Sequence, residues 1–312
     1  MKLLGTALIA GSFFYSLPLS AQDGGLTVIF WNIENYFDPF DDPLTADEDF
    51  TPQGAKHWTW KKFILKRNGI AKTILSAADS CGGKYPDVVA FAEVENYMVL
   101  RQLVRETPLE KLEYGIVHRN SPDKRGIDAA LIFNPKTVRI LKVDSLRIEN
   151  LQTRDILYVK MLHLPSDTLH LLVNHWPSKL GGKEASARKR EAVASVFNNC
   201  VDSILKVNPS SRILSAGDFN DTPDNITPLV SPKLTNLSEG LFRQGRGTIK
   251  YQGEWELIDQ FFTNDTTLKM SIFAPSFLLE EDKKYTGDKP RRTYLGPRHN
   301  GGLSDHLPII CR

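Results

Sequence analysis

The stretch that decides the fold is residues 87–94, which read DVVAFAEV. The apolar run inside it is unbroken, and a run of this length predicts a strand that is buried on both faces. A strand buried on both faces needs structure packed against each side of it, so this segment indicates a layered fold. The run ends on Glu93, and a charge that closes a buried strand is costly unless it is paired or used.

Further strands and helices are predicted on both sides of this segment. Residues 26–33 (LTVIFWNI) are rich in β-branched and aromatic side chains, which favour a strand. More strands are predicted at 114–118, 129–133, 138–143, 157–162, 169–174, 212–216, 256–262 and 307–310. Apolar residues at helical spacing predict helices at 61–78, 99–106 and 185–205. Strands outnumber helices and often follow one another directly. This pattern favours an α/β (α+β) sandwich of two mixed sheets with helices outside over a single doubly wound sheet.

The first 21 residues have the features of a secretory signal peptide. Lys2 gives a positive start, residues 3–19 are mostly apolar, and Ser20-Ala21 offers small residues for cleavage. An uncleaved membrane anchor is the alternative, but the apolar stretch is interrupted and is shorter than the ~20 residues that span a bilayer. We therefore expect one domain at residues 22–312, a secreted or periplasmic location and no stable membrane insertion.

Charge and cysteine content limit the possible functions. Without Lys2 the chain has 38 basic and 37 acidic residues, a balance that argues against a strongly basic protein that coats nucleic acid. An enzyme that binds nucleic acid locally is still compatible with this charge, and we expect it to be a monomer. Cys81, Cys200 and Cys311 allow one disulfide at most in an exported protein, with one thiol left over.

Polar side chains recur where apolar strands end. These positions are Asn32, Glu93, Asn174-His175, Asp218-Phe219-Asn220 and Ser304-Asp305-His306, and Asp259 lies within its own apolar strand. Asp305 and His306 place an oxygen metal ligand beside a proton-transfer group, a pairing that suits metal-assisted hydrolysis. The repetition of the same costly feature at six sites indicates one shared functional site.

The motifs around these positions resemble the endonuclease/exonuclease/phosphatase superfamily of metal-dependent phosphoesterases. They occur in the family's order and span residues 31–306: Trp31-Asn32-Ile33, Ala92-Glu93-Val94, Asn174-His175-Trp176, Gly217-Asp218-Phe219-Asn220, Ile258-Asp259 and Ser304-Asp305-His306. Each motif alone is weak, whereas six in order are specific. The stretches WNIENYFD, FAEVEN and RGIDAALIF further resemble secreted proteins of the Bacteroidetes.

The resemblance implies a four-layer sandwich of two mixed β-sheets flanked by helices, with Mg²⁺ or Mn²⁺ at the edge of the sheets. It implies that Glu93 is the main metal ligand, that Asp305 helps to hold the metal, and that Asn32 orients Glu93 or contacts the metal through its amide oxygen. A carboxylate or amide oxygen is the ligand that these hard cations prefer.

The resemblance also implies the roles of the catalytic residues. Asp218 orients the attacking water, Asn220 binds a phosphate oxygen, and alternate residues of an extended segment would point to one side. His306, held by Asp259, transfers a proton, and His175 stabilises the transition state or aids the leaving group. Which histidine is the acid and which the base stays open.

Substrate-binding roles are predicted for Arg125 and Asn174. Arginine binds phosphate through two parallel hydrogen bonds, and Arg125 precedes the strand at 129–133 as a phosphate-facing arginine often does in the family. Asp128 opens this strand and is predicted to pair with either Arg125 or His175. The acidic loop at 38–49 could bind Ca²⁺, but it lacks the ligand spacing of a calcium loop, and a solvated loop is the alternative.

Three functions are compatible with these observations. The first is a metal-dependent endonuclease with little sequence preference, acting on nucleic acid. The second keeps the chemistry but acts on lipid head groups or small phosphate esters. The third is a non-catalytic binding domain with the same fold, which predicts the loss of a site residue, and all six motifs are intact.

Overall fold

The computed structural model describes residues 25–179 and 182–312, so the predicted signal peptide at residues 1–21 lies outside the described part. Two six-stranded sheets form its centre. Sheet 1 contains, from edge to edge, β13 (Met270–Ile272), β18 (Ile309–Cys311), β1 (Val28–Tyr36), β2 (Val88–Val94), β4 (Asp128–Phe133) and β3 (Gly115–His118). Sheet 2 contains β5 (Val138–Leu146), β6 (Ile156–His163), β7 (Asp167–His175), β8 (Arg212–Asp218), β12 (Asp259–Thr263) and β9 (Thr235–Asn236).

Strand direction brings the predicted polar positions to one edge. β1 and β2 are parallel, as are β7 and β8, so their carboxyl ends lie at the same edge of each sheet. β12 runs antiparallel to β8, and β18 antiparallel to β1, so the residues that begin or precede these strands reach that edge as well.

Helices cover the outer face of each sheet. α1 (Trp60–Ser80) and α2 (Tyr97–Arg105) lie on sheet 1, and α3 (Lys183–Val207) lies on sheet 2. The Asn96 side chain caps α2 by accepting a hydrogen bond from the backbone N–H of Val99 at 3.0 Å. Short helices α4 (Pro223–Ile226) and α5 (Glu239–Arg243) complete the set, with 3₁₀ turns at Glu48–Phe50, Pro108–Leu112, Thr227–Leu229 and Ser276–Leu278.

Three apolar cores separate four layers. The first packs Trp31 of β1 against Phe63 of α1, and the third packs Phe262 of β12 against Phe197 of α3. The second core lies between the sheets and contains the other face of β1, including Phe30. The layer order is therefore helix, sheet, sheet, helix, and the predicted four-layer sandwich is confirmed.

The described residues differ from the predicted elements in a few places. The strand predicted at 256–262 is two elements, β11 (Glu254–Glu256) and β12, which are separated by Leu257 and Ile258. Three small hairpins lie outside the two large sheets, formed by β10 (Ile249–Tyr251) with β11, β14 (Leu279–Glu281) with β15 (Asp288–Pro290), and β16 (Tyr294–Leu295) with β17 (Arg298–His299). All three cysteines are free thiols, so the possible disulfide is not formed. Among the described helices, none has the length and apolar character that crossing a bilayer requires.

Candidate active site

The alternation of side chains along the strands explains why distant polar residues meet. On four strands, the polar residue at the site edge points to the same face as the apolar residues that form the second core. These polar residues are Asn32 after Phe30, His175 after Val173, Asp218 after Ala216, and Asp259 before Phe261. Four buried strands thus end in polar side chains that face the space between the sheets.

The register of sheet 2 aligns three of these residues side by side. Asp218 is paired across the ladder with His175 on one side and Asp259 on the other. Gly217 makes the close pairing of β7 and β8 possible, because a Cβ added there would lie 2.5 Å from the Cβ of Asn174. This is the reason for a glycine directly before the aspartate.

The site residues of sheet 1 lie on irregular backbone, whereas those of sheet 2 lie on regular strands. Glu93 has a φ of 63°, and Glu34 and Asn35 have φ of 46° and 54°, at an irregularity where the β1–β2 pairing shifts register. The left-handed backbone at Glu93 interrupts the strand alternation, and its carboxylate accepts a hydrogen bond from the Asn35 backbone N–H at 2.7 Å. Non-glycine residues in this conformation are uncommon and concentrate at functional sites.

Asn32 connects the two sheets. Its side-chain amide donates to the Asp218 carboxylate at 3.0 Å and reaches Glu93 at 3.4 Å. Its amide oxygen accepts the backbone N–H of Glu34 at 3.0 Å. Of the two roles predicted for Asn32, orientation of Glu93 and contact with the metal, this geometry favours orientation.

The C-terminal Ser-Asp-His segment is held in place by β1. The Ser304 hydroxyl donates to the Asn32 carbonyl at 2.6 Å, and the indole N–H of Trp31 donates to the His306 carbonyl at 2.9 Å. The His306 ring then places Nδ1 2.8 Å from the Asp259 carboxylate, which is the predicted pairing. Nε2 of the ring faces the space between the sheets.

The side chains form a ring around a shared space. Nε2 of His175 lies 3.9 Å from Glu93 and 3.7 Å from Asp218, and Nε2 of His306 lies 3.9 Å from both Asp218 and Asp305. These gaps are too long for direct hydrogen bonds. They leave room for water or for the oxygen atoms of a substrate between the groups.

Burial and neighbouring charges shift the pKa values of the two histidines in opposite directions. Burial opposes the charged form of His306, but the carboxylates around it, with Asp259 the strongest, raise its pKa well above the usual value. Burial and the positive charge of Arg154 lower the pKa of His175 well below the usual value. Near neutral pH, His306 is therefore the charged imidazole and His175 the neutral one.

Asp218 carries a shifted pKa as well. Burial and the nearby Asp259 carboxylate raise it to about 7, although His306 lowers it. Besides Asp218 and Asp259, the carboxylates of Glu34, Glu93 and Asp305 lie at this edge, so several negative charges are close together there. A bound divalent cation would relieve this crowding, so the charge balance fits a metal site.

Glu93 and Asp305 are the carboxylates best suited to hold that cation. Both present oxygen atoms toward the shared space, and Mg²⁺ or Mn²⁺ prefers oxygen ligands. Asp218, Asp259 and His306 also have ligand atoms within 4.8 Å of one another. We favour the Glu93–Asp305 edge, because Asp259 of the other cluster is already paired with His306 and because Asp305 is partly exposed, which gives a cation access from solvent.

Several charged residues around Asp305 were not predicted as site residues. Nη2 of Arg292 lies 3.0 Å from Asp305 and 3.2 Å from Glu34, which is buried. Lys66 of α1 is buried behind them and donates to the Thr293 hydroxyl at 2.7 Å. Burial lowers the pKa of Lys66 to about 8, although Glu34 raises it.

Arg154 is a further residue that the sequence analysis missed, and it lies close to the predicted Arg125. Arg154 is buried and donates to the Trp176 carbonyl at 2.9 Å, while its other terminal nitrogen lies 3.2 Å from Asp123. Arg125 is half exposed and lies 3.7 Å from Asp123. Both positive charges contribute to the low pKa of His175, and Arg154 donates to the carbonyl of Trp176, the residue that follows His175.

Asn174 lies away from the space between the sheets, so its position does not support the predicted substrate-binding role. Asn174 is fully buried, its amide donates to the Ser215 hydroxyl at 2.9 Å, and its oxygen accepts the indole N–H of Trp176 at 3.0 Å. Neighbouring residues of a strand point to opposite faces, so Asn174 faces α3 when His175 faces the site. The alternation of side chains along the strand already predicts that Asn174 and His175 point in opposite directions.

The geometry expected for Asn220 also needs correction. Its φ of 54° is left-handed, so Asp218 and Asn220 do not lie on one extended segment. Its backbone N–H donates to Asp218 at 2.9 Å, and its side-chain amide donates to the Trp176 carbonyl at 2.9 Å. A phosphate oxygen could use only the remaining amide hydrogen.

Asp128 pairs with neither of the two predicted partners. Its carboxylate lies 3.0 Å from Nε2 of His118 and accepts the backbone N–H of Ser121 at 2.8 Å. These contacts close the loop before β4. The spacing of the sequence does not predict this pair, because the pairing of β3 with β4 is what brings His118 next to Asp128.

Carboxylates of the acidic loop at 38–49 accept hydrogen bonds from backbone N–H groups of the same loop. Asp38 accepts the backbone N–H of Phe40 at 2.8 Å, and Asp47 accepts that of Asp42 at 3.2 Å. Asp38 and Asp47 are buried, whereas most of the loop between them is exposed to solvent, as predicted. These contacts favour a structural role, and Ca²⁺ binding there stays a prediction.

Comparisons with known proteins agree with this geometry. Residues 27–312 match the family model described as Endonuclease/Exonuclease/phosphatase family. No curated protein sequence matches the chain significantly. The fold is similar to truncated TDP2 from Caenorhabditis elegans, with a TM-score of 0.59 and 16% identity over 92% of this chain and 96% of that one.

Two other solved structures are similar over nearly the same length. TDP2 from D. rerio, complexed with a single-strand DNA product, has a TM-score of 0.58 and 14% identity, covering 92% of this chain and 97% of that one. The human nocturnin catalytic domain with bound sulfate has a TM-score of 0.56 and 16% identity, covering 92% and 93%. At such identities these likenesses establish the fold.

Proposed function

This chain belongs to the Endonuclease/Exonuclease/phosphatase family and is a hydrolase of phosphate ester bonds, and we propose that it is an exported, divalent-metal-dependent endonuclease with little sequence preference. The observation that carries the proposal is the ring of Glu93, His175, Asp218, His306 and Asp305 around one space between the sheets. The ring combines oxygen ligands for a metal with two histidines whose pKa values are shifted apart. Titratable groups with opposed shifts are the arrangement that acid–base chemistry requires.

Each group of the ring has a task in the hydrolysis of a phosphodiester. Glu93 and Asp305 would hold a divalent cation, which would supply positive charge to offset the charge on the phosphate oxygens. Asp218, held by the Asn32 amide at 3.0 Å, accepts a hydrogen bond from the attacking water and directs it at phosphorus. Neutral His175 donates a hydrogen bond to a non-bridging oxygen, and His306 exchanges a proton at Nε2 while Asp259 holds Nδ1.

The choice of nucleic acid as substrate rests on the surroundings of the ring. Arg292 lies at its rim, Arg125 and Arg154 are close to His175, and Tyr251 exposes 60% of its surface on a hairpin near the site edge. Arginines bind phosphates, and an exposed aromatic ring can stack on a base. TDP2 from D. rerio, a protein of the same fold, was solved with single-strand DNA, which also supports this choice.

A panel assay tests the proposal. Protein from residues 22–312 is incubated with Mg²⁺, Mn²⁺ or EDTA against plasmid DNA, RNA, bis-p-nitrophenyl phosphate and sphingomyelin. We expect nicking of the plasmid that EDTA abolishes. Turnover of only lipid or monoester substrates would reject the nuclease, and inertness on every substrate would favour a binding domain.

Hydrolysis of lipid head groups is a second candidate, which one surface feature favours. Phe40 and Trp60 stack edge to face with ring centres 5.4 Å apart and expose 63% and 41% of their surfaces. Leu44 nearby in sequence exposes 91%. Exposed apolar side chains can insert into a membrane surface, so sphingomyelin in the panel distinguishes this candidate.

Export is proposed from the sequence of residues 1–21. The test is N-terminal sequencing of the protein recovered from the periplasm or medium of the source cells. A mature chain that starts near residue 22 supports the proposal, and a full-length chain found in the cytosol contradicts it.

A further inference from the structure

A cavity beside the ring has no part in the reaction proposed above. Its volume is about 210 Å³, which is several times the ~30 Å³ of one water molecule and enough for one phosphate-sized group. Its walls come from two separate parts of the chain. The residues that line it include Glu34, Asn35, Phe50, Lys56, Arg292 and Tyr294.

The cavity shares its walls with the metal-binding edge. The backbone N–H of Asn35 donates to Glu93 at 2.7 Å, and Arg292 lies 3.0 Å from Asp305. A group in the cavity is therefore a neighbour of any phosphate held between Glu93 and Asp305. Because the cavity and the proposed metal-binding edge share wall residues, the cavity suits a second group of the same substrate rather than an independent ligand.

Positive charge predominates around the cavity. The Lys56 ammonium donates to the Gly296 carbonyl at 3.0 Å, and since an ammonium has three donors, two of them are available to a ligand. Arg292 is fixed at 3.2 Å from Glu34, and Lys66 lies behind the wall with its ammonium on Thr293. Of the side chains that line the cavity, two are cationic, Lys56 and Arg292, and one is anionic, Glu34, and this balance favours an anionic ligand.

The aromatic wall argues against a nucleobase in this cavity. The ammonium groups of Lys56 and Lys62 lie 5.1 and 5.5 Å from the centre of the Tyr294 ring. Tyr294 is buried and packs against Trp58 with ring centres 6.1 Å apart. A ring that already carries cations and a neighbouring indole has no free face for stacking.

We infer that this cavity is a subsite for a second phosphate of the substrate, next to the phosphate that is hydrolysed, and that Lys56 selects for it. The inference rests on the proposed function, because it takes the hydrolysed phosphodiester to lie at Glu93 and Asp305. The second phosphate comes either from the next position of a nucleic acid strand or from the other half of a pyrophosphate. Both sources present the same tetrahedral anion to Lys56.

Small substrates that differ by one phosphate test the inference. The rates compared are kcat/KM for the dinucleotide TpT, for pTpT and TpTp with one added terminal phosphate, and for the pyrophosphate TppT. We expect at least one of the last three to exceed TpT by about tenfold or more, as for a hydrogen bond to a charged group. Preference for pTpT or TpTp identifies a strand phosphate, and preference for TppT alone identifies a pyrophosphate.

Three variants connect this preference to Lys56. Lys56→Met should reduce the ratio of the preferred substrate to TpT to about one, and Lys56→Arg should retain most of it. Lys61→Met makes the same chemical change at an exposed position of α1 and should keep the wild-type ratio. A wild-type ratio near one for all three substrates, or a ratio that survives Lys56→Met in protein with a normal melting temperature, would overturn the inference.

A binding measurement separates this inference from the proposed function. If none of the four substrates is hydrolysed, the nuclease proposal fails, and the subsite is tested by calorimetric titration with thymidine 3′,5′-bisphosphate. Binding that weakens about tenfold or more in Lys56→Met but not in Lys61→Met supports the subsite. Equal binding by both variants, or the absence of binding by the wild type, contradicts it.

Discussion

The two sheets contribute different chemistry to the same edge. Sheet 1 supplies Glu93 from left-handed backbone, and Asp305, which is partly exposed, lies on the segment that precedes β18 of the same sheet. Sheet 2 supplies His175, Asp218 and Asp259 from three regular strands in register, all of them buried. Under the proposed function, sheet 1 would bind the metal, and sheet 2, together with His306, would position the water and transfer the proton.

The irregular backbone of sheet 1 and the regular strands of sheet 2 are each suited to these tasks. A cation tolerates several ligand arrangements and needs access to solvent, so a partly exposed bulge can bind it. Proton transfer depends on shifted pKa values, which require burial and fixed partners, and regular strands provide both. Loss of a site residue of sheet 1 should therefore weaken metal binding, whereas loss of a site residue of sheet 2 should lower kcat.

The largest expected effect follows from loss of the sheet 2 chemistry. Asp218→Ala and His306→Ala should each reduce kcat by ~10²-fold or more, because each removes a group that positions the water or transfers a proton. Steady-state kinetics on bis-p-nitrophenyl phosphate measures this, with Asp224→Ala on the exposed surface as control. Full activity of either variant in a folded protein would contradict its assigned role.

Loss of the sheet 1 ligand should act on metal binding. Glu93→Gln should weaken Mn²⁺ binding by at least the about 10- to 100-fold that loss of a supporting group typically costs. Calorimetric titration of metal into the protein without substrate measures this, and Glu110→Gln is the matched control at an exposed position. Unchanged affinity in Glu93→Gln would place the metal elsewhere, for example at Asp218, Asp259 and His306.

The Asp259–His306 pair can be tested through the pH dependence of the reaction. Asp259 is the strongest of the charges that raise the pKa of His306, so Asp259→Asn should lower that pKa and reduce kcat by about tenfold or more. The limb of the pH–rate profile that reports His306 should move to lower pH. Movement of the alkaline limb identifies His306 as the acid, and movement of the acidic limb identifies it as the base.

A profile in which neither limb moves would contradict the pairing. Asp144→Asn, on the exposed part of β5, provides the control that should leave both limbs in place. Movement of one limb in Asp259→Asn, with both limbs in place in the control, would settle the role of His306 that the sequence left open.

The smallest effect separates structure from catalysis within one strand. Asn174→Ala leaves the buried indole N–H of Trp176 without its acceptor and should lower the free energy of unfolding by about 1–3 kcal/mol, with kcat and KM little changed. Urea denaturation measures this, and Asn199→Ala, exposed on α3, should change stability by less than about 0.5 kcal/mol. Normal stability with a raised KM would instead restore the substrate-binding role.

The sequence contained most of the fold and part of the site. The unbroken run in β2 and the polar ends of β1, β7 and β8 were readable because strand alternation and strand direction follow simple geometric rules. The same alternation places Asn174 and His175 on opposite faces of β7. The pairing of Asp259 with His306 was predicted from the resemblance and agrees with the 2.8 Å contact.

Other residues of the site had no signal in the sequence. Lys66 and Arg154 lie in a helix and a loop whose patterns are ordinary for surface segments, yet both are buried at the site. Left-handed backbone at Glu93 and Asn220 depends on the tertiary contacts of each loop, because nothing local favours it strongly in a glutamate. Long-range pairs such as Arg292 with Glu34 require the fold before they can be seen.

The most direct test of the central claim is the rate of bis-p-nitrophenyl phosphate hydrolysis as Mg²⁺ is added to EDTA-treated protein. We predict no turnover without the metal, a rate that rises and saturates with Mg²⁺, and saturation at a higher Mg²⁺ concentration in Glu93→Gln. Turnover that is the same in EDTA and in Mg²⁺ would contradict the assignment of this edge as a metal-dependent phosphodiesterase site.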